Sequence, residues 1–425
     1  MYEFKPMTDR VKRLRERYRT TTVILDSEHA RLVTEAYKKY SHECAIIRRA
    51  RMMYYVCEHR TLRVEDDELI VGNMGLNYRG TSINPDYGME WLIDELDTGE
   101  FDKRGVQLEH MELDEEDRKV FREIAPYWKD NSASTFIDRA FPPGFETVLN
   151  AGVLSHRIKG NADMPTGHFS ANYKKLIDKG LPAIRKEDQD KLDAMCANIQ
   201  SGDPEKYLFY EAMVIICDAM ILLSKRYSRL CAEKAGQTEG KRKEELLVMA
   251  DTLDRIMEQP CQTFQDAVQA TYLYQLILAL DGNLHGLTFG RFDQYAYPYL
   301  EKDLNEKRIT EEYAQELVDC FFIKICDMFK GRSHFVSQGA GGYTSGQQMS
   351  LGGVDKDGND ATNKLSYMML EASARLILHS PPLSLRIHKN TPKKLWECAT
   401  ECTKRVGGIP TFQNDDVIIP MMVKE

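Results

Sequence analysis

The side chains best suited to catalysis or metal binding in this chain are ten cysteines and ten histidines, scattered along 425 residues. The cysteines form no Cys-x-x-Cys pair and no zinc-type spacing, and neither His-Glu-x-x-His nor Gly-x-Ser-x-Gly occurs. Residues 355–360 begin like a calcium loop, but Asp360 stands where glycine is needed and Ser366 where glutamate is needed. We therefore expect no metal site and a polar turn at 355–360. We expect the cysteines to be free thiols buried in the protein, which fits a reducing compartment.

A glycine-rich segment at residues 339–346 (GAGGYTSG) is the second candidate for chemistry. It lacks the Lys-Ser/Thr pair of a phosphate-binding loop and the spacing of a dinucleotide fingerprint. Two interpretations stay open. The segment is either a flexible loop beside a strand or a place where bare backbone approaches a small ligand.

Composition and charge narrow the class of protein. With 42% hydrophobic and 29% charged residues, the chain has the balance of a soluble globular protein with a real core. A net charge of −9 argues against nucleic acid as a partner, because phosphate binding needs a basic surface. The N-terminus is polar and then basic, unlike a signal peptide, and the most apolar stretch, 270–280, is too short for a membrane span. We expect a cytoplasmic protein that binds neither nucleic acid nor membrane.

Helical patterns dominate the elements that would position these residues. Asp26 is a candidate cap for a helix whose apolar residues recur at three- and four-residue spacing, and residues 207–235 repeat that pattern. Thr263 opens a capping box ahead of a helix to about Leu280. Thr391 before Pro392 predicts a helix start, with the helix running to about Val406. Short strand-like runs occur at 69–72, 349–352 and 382–387. Short strands between long helices predict an α/β domain, without an internal linker or repeat.

Several segments, taken in order, resemble glycyl radical enzymes of the pyruvate formate-lyase type, closest to the glycerol and propanediol dehydratase branch. The resemblance extends over nearly the whole chain. It is carried by the segments 68–73 (ELIVGN), 167–173 (GHFSANY) with 180–181 (GL), 264–269 (FQDAVQ), 290–295 (GRFDQY) with Pro298, 351–353 (LGG), 360–363 (DATN), 383–386 (LSLR) and 408–415 (GIPTFQND) with 418–420 (IIP).

The resemblance implies a fold and a chemistry. The fold would be part of a ten-stranded α/β barrel, with residues 1–425 supplying the first half-barrel and an extensive helical shell as the N-terminal part of the domain. The family's complete enzyme uses a glycyl radical, installed by an activating enzyme that contains an iron–sulfur cluster and uses S-adenosylmethionine. That radical oxidises a cysteine in a Gly-Cys-x-Glu loop, and the resulting thiyl takes a hydrogen atom from substrate.

This chain ends at Glu425, ahead of the segments that carry the radical chemistry in the family. The resemblance therefore implies no catalytic residue within 1–425: the thiyl cysteine, its partner glutamate and the radical glycine would lie beyond Glu425. Two segments imitate them. Cys231-Ala232-Glu233 lies in an amphipathic helical pattern, and residues 405–408 (RVGG) fall inside a segment already matched to another motif. We interpret the chain as a truncated or fragmentary copy.

Three residues are implied as substrate ligands. His168 and His285 match histidines that hydrogen-bond substrate hydroxyls in the diol dehydratases, and histidine is the side chain best suited to supply a proton to a departing hydroxyl near neutral pH. Tyr343 would line the pocket from the glycine-rich segment. Gly286 departs from the pattern, because those enzymes have serine there. Arg291 and Asp293 are interpreted as a structural pair at a strand end.

The expected function is radical dehydration or lysis of a small hydroxylated substrate such as a vicinal diol. The alternatives are another activity of the superfamily (formate C-acetyltransferase, C–N or C–S lyase, arylacetate decarboxylase) or a non-catalytic or split-enzyme half. Expected partners are the small-molecule substrate, the activating enzyme, and a homodimer mate or a C-terminal partner chain. No cofactor is expected to be bound by this chain itself.

Overall fold

The computed structural model describes residues 2–105, 110–152, 167–197, 203–282, 284–340 and 346–423. Within these ranges the chain is mostly helical, with small parallel sheets. The α-helices are α1 (Asp9–Thr20), α2 (Glu28–Lys39), α3 (Ala45–His59), α4 (Glu90–Thr98), α5 (Glu115–Trp128), α6 (Ala133–Ala140), α7 (Phe145–Asn150), α8 (Tyr173–Lys179), α9 (Leu181–Ala197), α10 (Pro204–Gly236), α11 (Gly240–Arg255), α12 (Phe264–Asp281), α13 (Phe292–Tyr295), α14 (Tyr297–Asn305), α15 (Glu311–Cys326), α16 (His334–Ala340), α17 (Lys364–Leu376), α18 (Lys393–Val406) and α19 (Asp415–Val423). A 3₁₀ turn covers Phe101–Lys103.

The described strands all pair in parallel. They are β1 (Ile24–Leu25) with β2 (Gly80–Thr81), β3 (Gly167–Ser170) with β4 (His285–Thr288), and β5 (Met349–Gly352), β6 (Leu383–Ile387) and β7 (Thr411–Asn414) in that order. A parallel bridge between Gly290 and Met349 joins the end of β4 to β5, and Ser350 N donates to Gly290 O at 2.9 Å. The strands β3 to β7 therefore lie side by side in chain order, as parallel strands joined by helical crossovers do.

The apolar face of this row packs against helices. Met349, Leu351, Leu383 and Leu385 of β5 and β6 are at most 1% exposed. Among the helices, α13 contacts β5, and α19 contacts β6 and β7, while α17 contacts α15 and α18. The fold is therefore α/β, as the sequence predicts.

Local capping explains where two of these helices begin. Thr263 accepts from Asp266 N and the Asp266 side chain accepts from Thr263 N, the capping box expected ahead of α12. The predicted cap of α18 is wrong: Pro392 itself is the N-cap residue, and Thr391 Oγ1 accepts from His388 N instead.

The strand predicted at 69–72 is not present. Residues 69–71 are almost fully buried but irregular, and the Gln269 side chain of α12 takes the place of a neighbouring strand. Its Oε1 accepts from Val71 N at 2.8 Å and its Nε2 donates to Val71 O at 2.9 Å. A buried backbone segment needs hydrogen-bond partners, and here a helix side chain supplies them.

The long helix α10 lies within a helical layer. Among the described residues, α10 alone is long and apolar enough to cross a membrane, with a mean hydropathy of 1.7 over its most apolar stretch. It packs against α3, α9 and α11. Leu223 and Tyr227 of α10 are completely buried. Of that apolar stretch, 39% is buried within the protein. Length and apolar composition are shared by core helices and membrane spans.

Candidate functional site

His168 and His285 lie side by side on neighbouring parallel strands. β3 pairs with β4 so that Gly167 is opposite His285 and Phe169 is opposite Leu287. The centroids of the two imidazole rings are 4.3 Å apart and their planes are inclined by 59°. His168 is exposed and His285 is half-buried. The structure therefore brings together the two histidines that the sequence singled out, with at least one imidazole open to a ligand.

The backbone at this histidine pair is unusual in both strands. His168 has φ of 55° and Gly286, on the neighbouring strand, has φ of 65°. A left-handed φ is uncommon for histidine, and strained residues of this kind concentrate at functional sites. A Cβ atom added at Gly167 would lie 2.0 Å from the carbonyl oxygen of His285, so only glycine permits the strands to approach this closely.

A network of buried amides anchors β4 beneath the histidines. Gln275 Nε2 of α12 donates to Leu287 O at 2.9 Å and to Gln347 Oε1 at 3.0 Å. The Tyr173 hydroxyl donates to Gln275 Oε1, and Gln347 Nε2 donates to Ile325 O at 3.2 Å. Gln275 and Gln347 are completely buried and Tyr173 is 1% exposed. Satisfied buried networks hold one arrangement rigidly, and this one holds β4 against α8, α12 and the segment before β5.

Polar side chains are paired across neighbouring strands in two places on β3 to β7, and together we call them the polar band. Register pairs place Ser170 opposite Thr288, and Ser350 opposite Ser384, which in turn is opposite Thr411. Register-paired residues of adjacent strands point to the same face of a sheet. Ser384 Oγ and Thr411 Oγ1 are 2.8 Å apart, and the side chain of Gln348 donates to Ser384 Oγ. On β5, β6 and β7, the face opposite Met349 and Leu351 is therefore polar and hydrogen-bonding.

Arg291 and Asp293 both hold the end of β5 and make no direct hydrogen bond to each other. Arg291 Nη2 donates to Gly352 O at 2.6 Å and its Nη1 donates to Val354 O at 3.0 Å. Asp293 Oδ2 accepts from Gly352 N at 2.8 Å and from Ser366 Oγ at 2.6 Å. Complete burial raises the pKa of Asp293 to about 6. Both residues are structural at a strand end, as the sequence predicts, but each bonds to this end separately and not to the other as the predicted pair would.

Asp415 ties the start of α19 to the strands. Its Oδ1 accepts from Arg386 Nε at 2.8 Å and its Oδ2 accepts from Val354 N at 2.9 Å. A Cβ atom at Gly353 would lie 2.6 Å from Asp415 Oδ2, so glycine is required beside this carboxylate. The GIPTFQND segment is therefore a junction between β6, β7 and α19.

Tyr343 lies outside the described residues. Gly346, three positions later in the same glycine-rich segment, is close to the histidine pair. A Cβ atom at Gly346 would lie 3.3 Å from Gly286 Cα and 3.5 Å from Gly286 N. The end of the segment thus meets bare backbone on β4, which places it beside the candidate site.

No cysteine lies on any described strand. Eight of the ten are buried, and the two that are exposed are Cys44 and Cys196. Cys231 of the Cys-Ala-Glu segment is completely buried in α10, and burial raises the pKa of its thiol to about 12. Gly407 ends α18 in the left-handed conformation, with its N–H bonded to Thr403 O. Both segments that imitate radical motifs are therefore ordinary helix interior and helix end.

Two cavities among the described residues lie away from the histidines. One of about 710 Å³ is lined by residues 2–8, α15, α17 and Lys394 of α18, and an apolar one of about 460 Å³ lies between α3, α8, α9, α10 and α12. Within the described ranges, no group of three or more His, Cys, Asp or Glu side chains is placed to hold a metal ion. Asp355 Oδ1 accepts from Asp357 N and Asn359 N, which makes residues 355–360 a polar turn.

The chain belongs to the pyruvate formate lyase-like family, whose model matches residues 7–425. It is 30% identical over 403 residues to the probable dehydratase YbiW of Escherichia coli K12, covering 94% of this chain and 49% of that protein. The chain thus spans about half the length of the curated relatives it matches.

Two solved structures superpose on nearly the whole chain and on about half of their own length. The glycerol-bound form of the B12-independent glycerol dehydratase from Clostridium butyricum superposes with a TM-score of 0.92 at 33% identity, over 99% of this chain and 52% of that one. A glycyl radical enzyme from Archaeoglobus fulgidus superposes with a TM-score of 0.89 at 32% identity, over 98% of this chain and 53% of that one. The suspected family is therefore confirmed.

The sequence did not single out the polar band or the amide network. The hydroxyls of Ser170, Thr288 and Ser384 are spread over three segments that share no sequence pattern. Gln275 is a polar residue within the apolar stretch 270–280. The amide of Gln275 within an otherwise apolar helix was the only sign in the sequence of this buried hydrogen-bonding network.

Proposed function

We propose that this chain is the N-terminal part of a glycyl radical enzyme that removes water from a small hydroxylated substrate such as a vicinal diol. The observation that carries the proposal is the adjacent pair His168 and His285 on β3 and β4, with ring centroids 4.3 Å apart, in a chain matched to the family over residues 7–425. An imidazole can donate from one nitrogen and accept at the other, so two imidazoles suit a substrate with neighbouring hydroxyl groups.

In this proposal the strands β3 to β7 form the first half of a ten-stranded barrel. Five parallel strands in chain order, with buried apolar residues on one face of β5 and β6 and polar residues on the other, support that arrangement. The polar band, with Ser170, Thr288 and Ser384, would face the barrel interior and the substrate. The complementary strands, the thiyl cysteine, its partner glutamate and the radical glycine lie outside residues 1–425.

Within such an enzyme, the residues of this chain bind and orient the substrate. His168 donates a proton, or a hydrogen bond, to the hydroxyl that leaves as water, and His285 holds the neighbouring hydroxyl. Tyr343 lines the pocket from the glycine-rich segment. The glycyl radical, installed by an activating enzyme, supplies the hydrogen-atom abstraction. The activating enzyme, the substrate and either a second copy or a C-terminal partner chain are the expected partners.

Turnover by the activated enzyme that contains this chain tests the role of His168. A His168→Ala variant should lower kcat for 1,2-propanediol or glycerol by about 10²- to 10⁴-fold, the usual contribution of a general acid. A His285→Ala variant should chiefly raise KM. The matched control is His42→Ala, since the His42 side chain is 73% exposed between α2 and α3. Undiminished dehydration by His168→Ala would remove the proposed role.

Product analysis separates dehydration from the other activities of the superfamily. An aldehyde and water from a diol support the proposal. Sulfite from isethionate, or carbon dioxide from an arylacetate, with no diol turnover, would replace it with a C–S lyase or a decarboxylase.

A further inference from the structure

We infer that Gly286 is the residue that positions the His168 imidazole, and that it thereby determines which group meets the substrate at this point of the pocket. The part of the inference that concerns the substrate rests on the proposed function. The part that concerns the position of the imidazole rests on geometry alone, because Gly286 and His168 face each other across β3 and β4.

The ring of His168 occupies the space that a side chain at residue 286 would need. A Cβ atom built on Gly286 lies 2.7 Å from His168 Cδ2, 3.3 Å from Nε2 and 3.5 Å from Cγ. Carbon atoms that are not bonded pack at about 3.5–4.0 Å, so even a methyl group at residue 286 collides with the ring. The imidazole lies directly over bare backbone.

The strand cannot move away to relieve such a collision. Gly346 packs on Gly286, where a Cβ added at Gly346 would be 3.3 Å from Gly286 Cα. The residues of β4 on either side of Gly286 are also fixed. The His285 carbonyl oxygen lies against Gly167, and Gln275 Nε2 donates to Leu287 O. The exposed His168 ring is the part of this arrangement that is free to move. A side chain at residue 286 therefore displaces the imidazole.

Gly286 and His168 face each other and both have a left-handed backbone conformation, but the conformation strains only His168. Gly286 adopts φ of 65° freely because it has no Cβ, whereas His168 at φ of 55° is held in a conformation that histidine rarely takes. The kink in β4 creates the hollow into which the strained His168 places its ring. Gly286 and His168 thus form one unit.

The consequence for recognition concerns which chemical group lies at this point of the pocket. The Cδ2–Nε2 edge of His168 lies over residue 286, so the imidazole, and not a side chain of residue 286, is the hydrogen-bonding group there. A Gly286→Ser variant should therefore change the ratio of KM values between two hydroxylated substrates of different length.

The test compares Gly286→Ala with Gly99→Ala in the chain of residues 1–425. Gly99 has φ of 69°, close to that of Gly286, but a Cβ there meets nothing within 4 Å. Both variants therefore introduce the same backbone strain, and only Gly286→Ala adds the collision with His168. The readouts are the thermal midpoint and the ¹H–¹³C resonance of the His168 ring in chain labelled at histidine.

We expect Gly286→Ala to shift the His168 resonance and to lower the thermal midpoint more than Gly99→Ala does. In a His168→Ala background the extra lowering should disappear, because the ring that collides is gone. An unmoved resonance, or an equal loss of midpoint in both backgrounds, would overturn the inference. If Gly286→Ala alone does not fold, folding of the double variant supports the inference and failure of the double variant overturns it.

The two proposals fail separately. A shifted resonance in Gly286→Ala, together with full turnover by His168→Ala, would leave the positioning intact and remove the substrate role. An unmoved resonance, with turnover lost in His168→Ala, would do the reverse.

Discussion

At the scale of single residues, Asp26 shows how burial changes the charge of a side chain. Asp26 is 1% exposed, and its Oδ2 accepts from Leu76 N at 2.8 Å. Burial raises its pKa to about 7, and the nearby carboxylates of Asp117 and Glu28 raise it further, while the bond from Leu76 N acts in the opposite direction. The folded protein therefore keeps this proton over a range in which the unfolded chain has lost it.

The sign of the pH effect follows from that difference. Between about pH 4 and pH 7 the folded state binds more protons at Asp26 than the unfolded state, so this residue's contribution to the free energy of unfolding falls as pH rises. Asp26→Asn keeps an acceptor for Leu76 N but cannot ionise. We expect the variant to match the parent near pH 4 and to unfold at a higher temperature at pH 8, by thermal denaturation.

Asp67 provides a control of opposite sign. Its hydrogen bond and charge interaction with Arg13 lower its pKa, so its stabilising effect is present at neutral pH and is lost as pH falls through the lowered value. Asp67→Asn should therefore be less stable than the parent at pH 7, with the difference closing in acid. A pH-independent difference for Asp26→Asn would contradict the assignment.

At the scale of secondary-structure elements, a side chain of α12 supplies hydrogen-bond partners to the backbone of a neighbouring segment. Gln269 pairs with Val71 on both its N–H and its C=O, and a buried unpaired backbone group costs about 1–3 kcal/mol. Gln269→Leu leaves two such groups unpaired, so we expect a loss of about 2–6 kcal/mol in the free energy of unfolding. Denaturant titration measures it. Gln237→Leu, on the exposed end of α10, is the control and should change little; an equal effect of both substitutions would refute the pairing.

The capping box of α12 gives a second prediction at this scale. Thr263→Ala removes the acceptor for Asp266 N and should cost about 1 kcal/mol of folding free energy. Thr400→Ala is the matched control, because Thr400 lies exposed inside α18, where alanine is the better helix former. Chemical denaturation should show a loss for the first variant only.

The elements also show which predictions the sequence could support. The α12 helix and its cap were predicted from spacing and the Thr263–Asp266 pair, and β5 and β6 from their apolar runs. The strands β3, β4 and β7 were missed because four residues such as HGLT or TFQN carry no period-2 pattern of their own. Residues 69–72 have a strand composition, but the N–H and C=O of Val71 bond to the Gln269 side chain instead of to a neighbouring strand. The adjacency of His168 and His285 depends on parallel pairing of distant segments, which no local pattern contains.

At the scale of the whole molecule, the described end of the chain leaves apolar surface open. Within α19, Met421 is 65% exposed, Met422 is 69% exposed and Val423 is 80% exposed. All four residues of the adjacent edge strand β7 are also exposed. Exposed apolar clusters and unpaired strand edges promote association between chains. In the proposed enzyme, the other half of the barrel would cover this surface.

Self-association of the isolated chain tests that interpretation. We expect residues 1–425 to form larger species as concentration rises, and the pair Met421→Glu and Met422→Glu to reduce this, as followed by sedimentation velocity. The control pair is Leu247→Glu and Val248→Glu on α11, whose parent side chains are 49% and 51% exposed. A chain that stays monomeric throughout, or one that responds equally to both pairs, would show that the α19 surface needs no cover.

The central claim is that this chain is one half of a glycyl radical enzyme, and the intact mass and peptide content of the native protein test it most directly. The account predicts peptides from a Gly-Cys-x-Glu loop and a glycyl loop. They would lie in the same polypeptide, at roughly twice 48.9 kDa, or in a partner that co-purifies. A native species of 48.9 kDa with neither would contradict the claim.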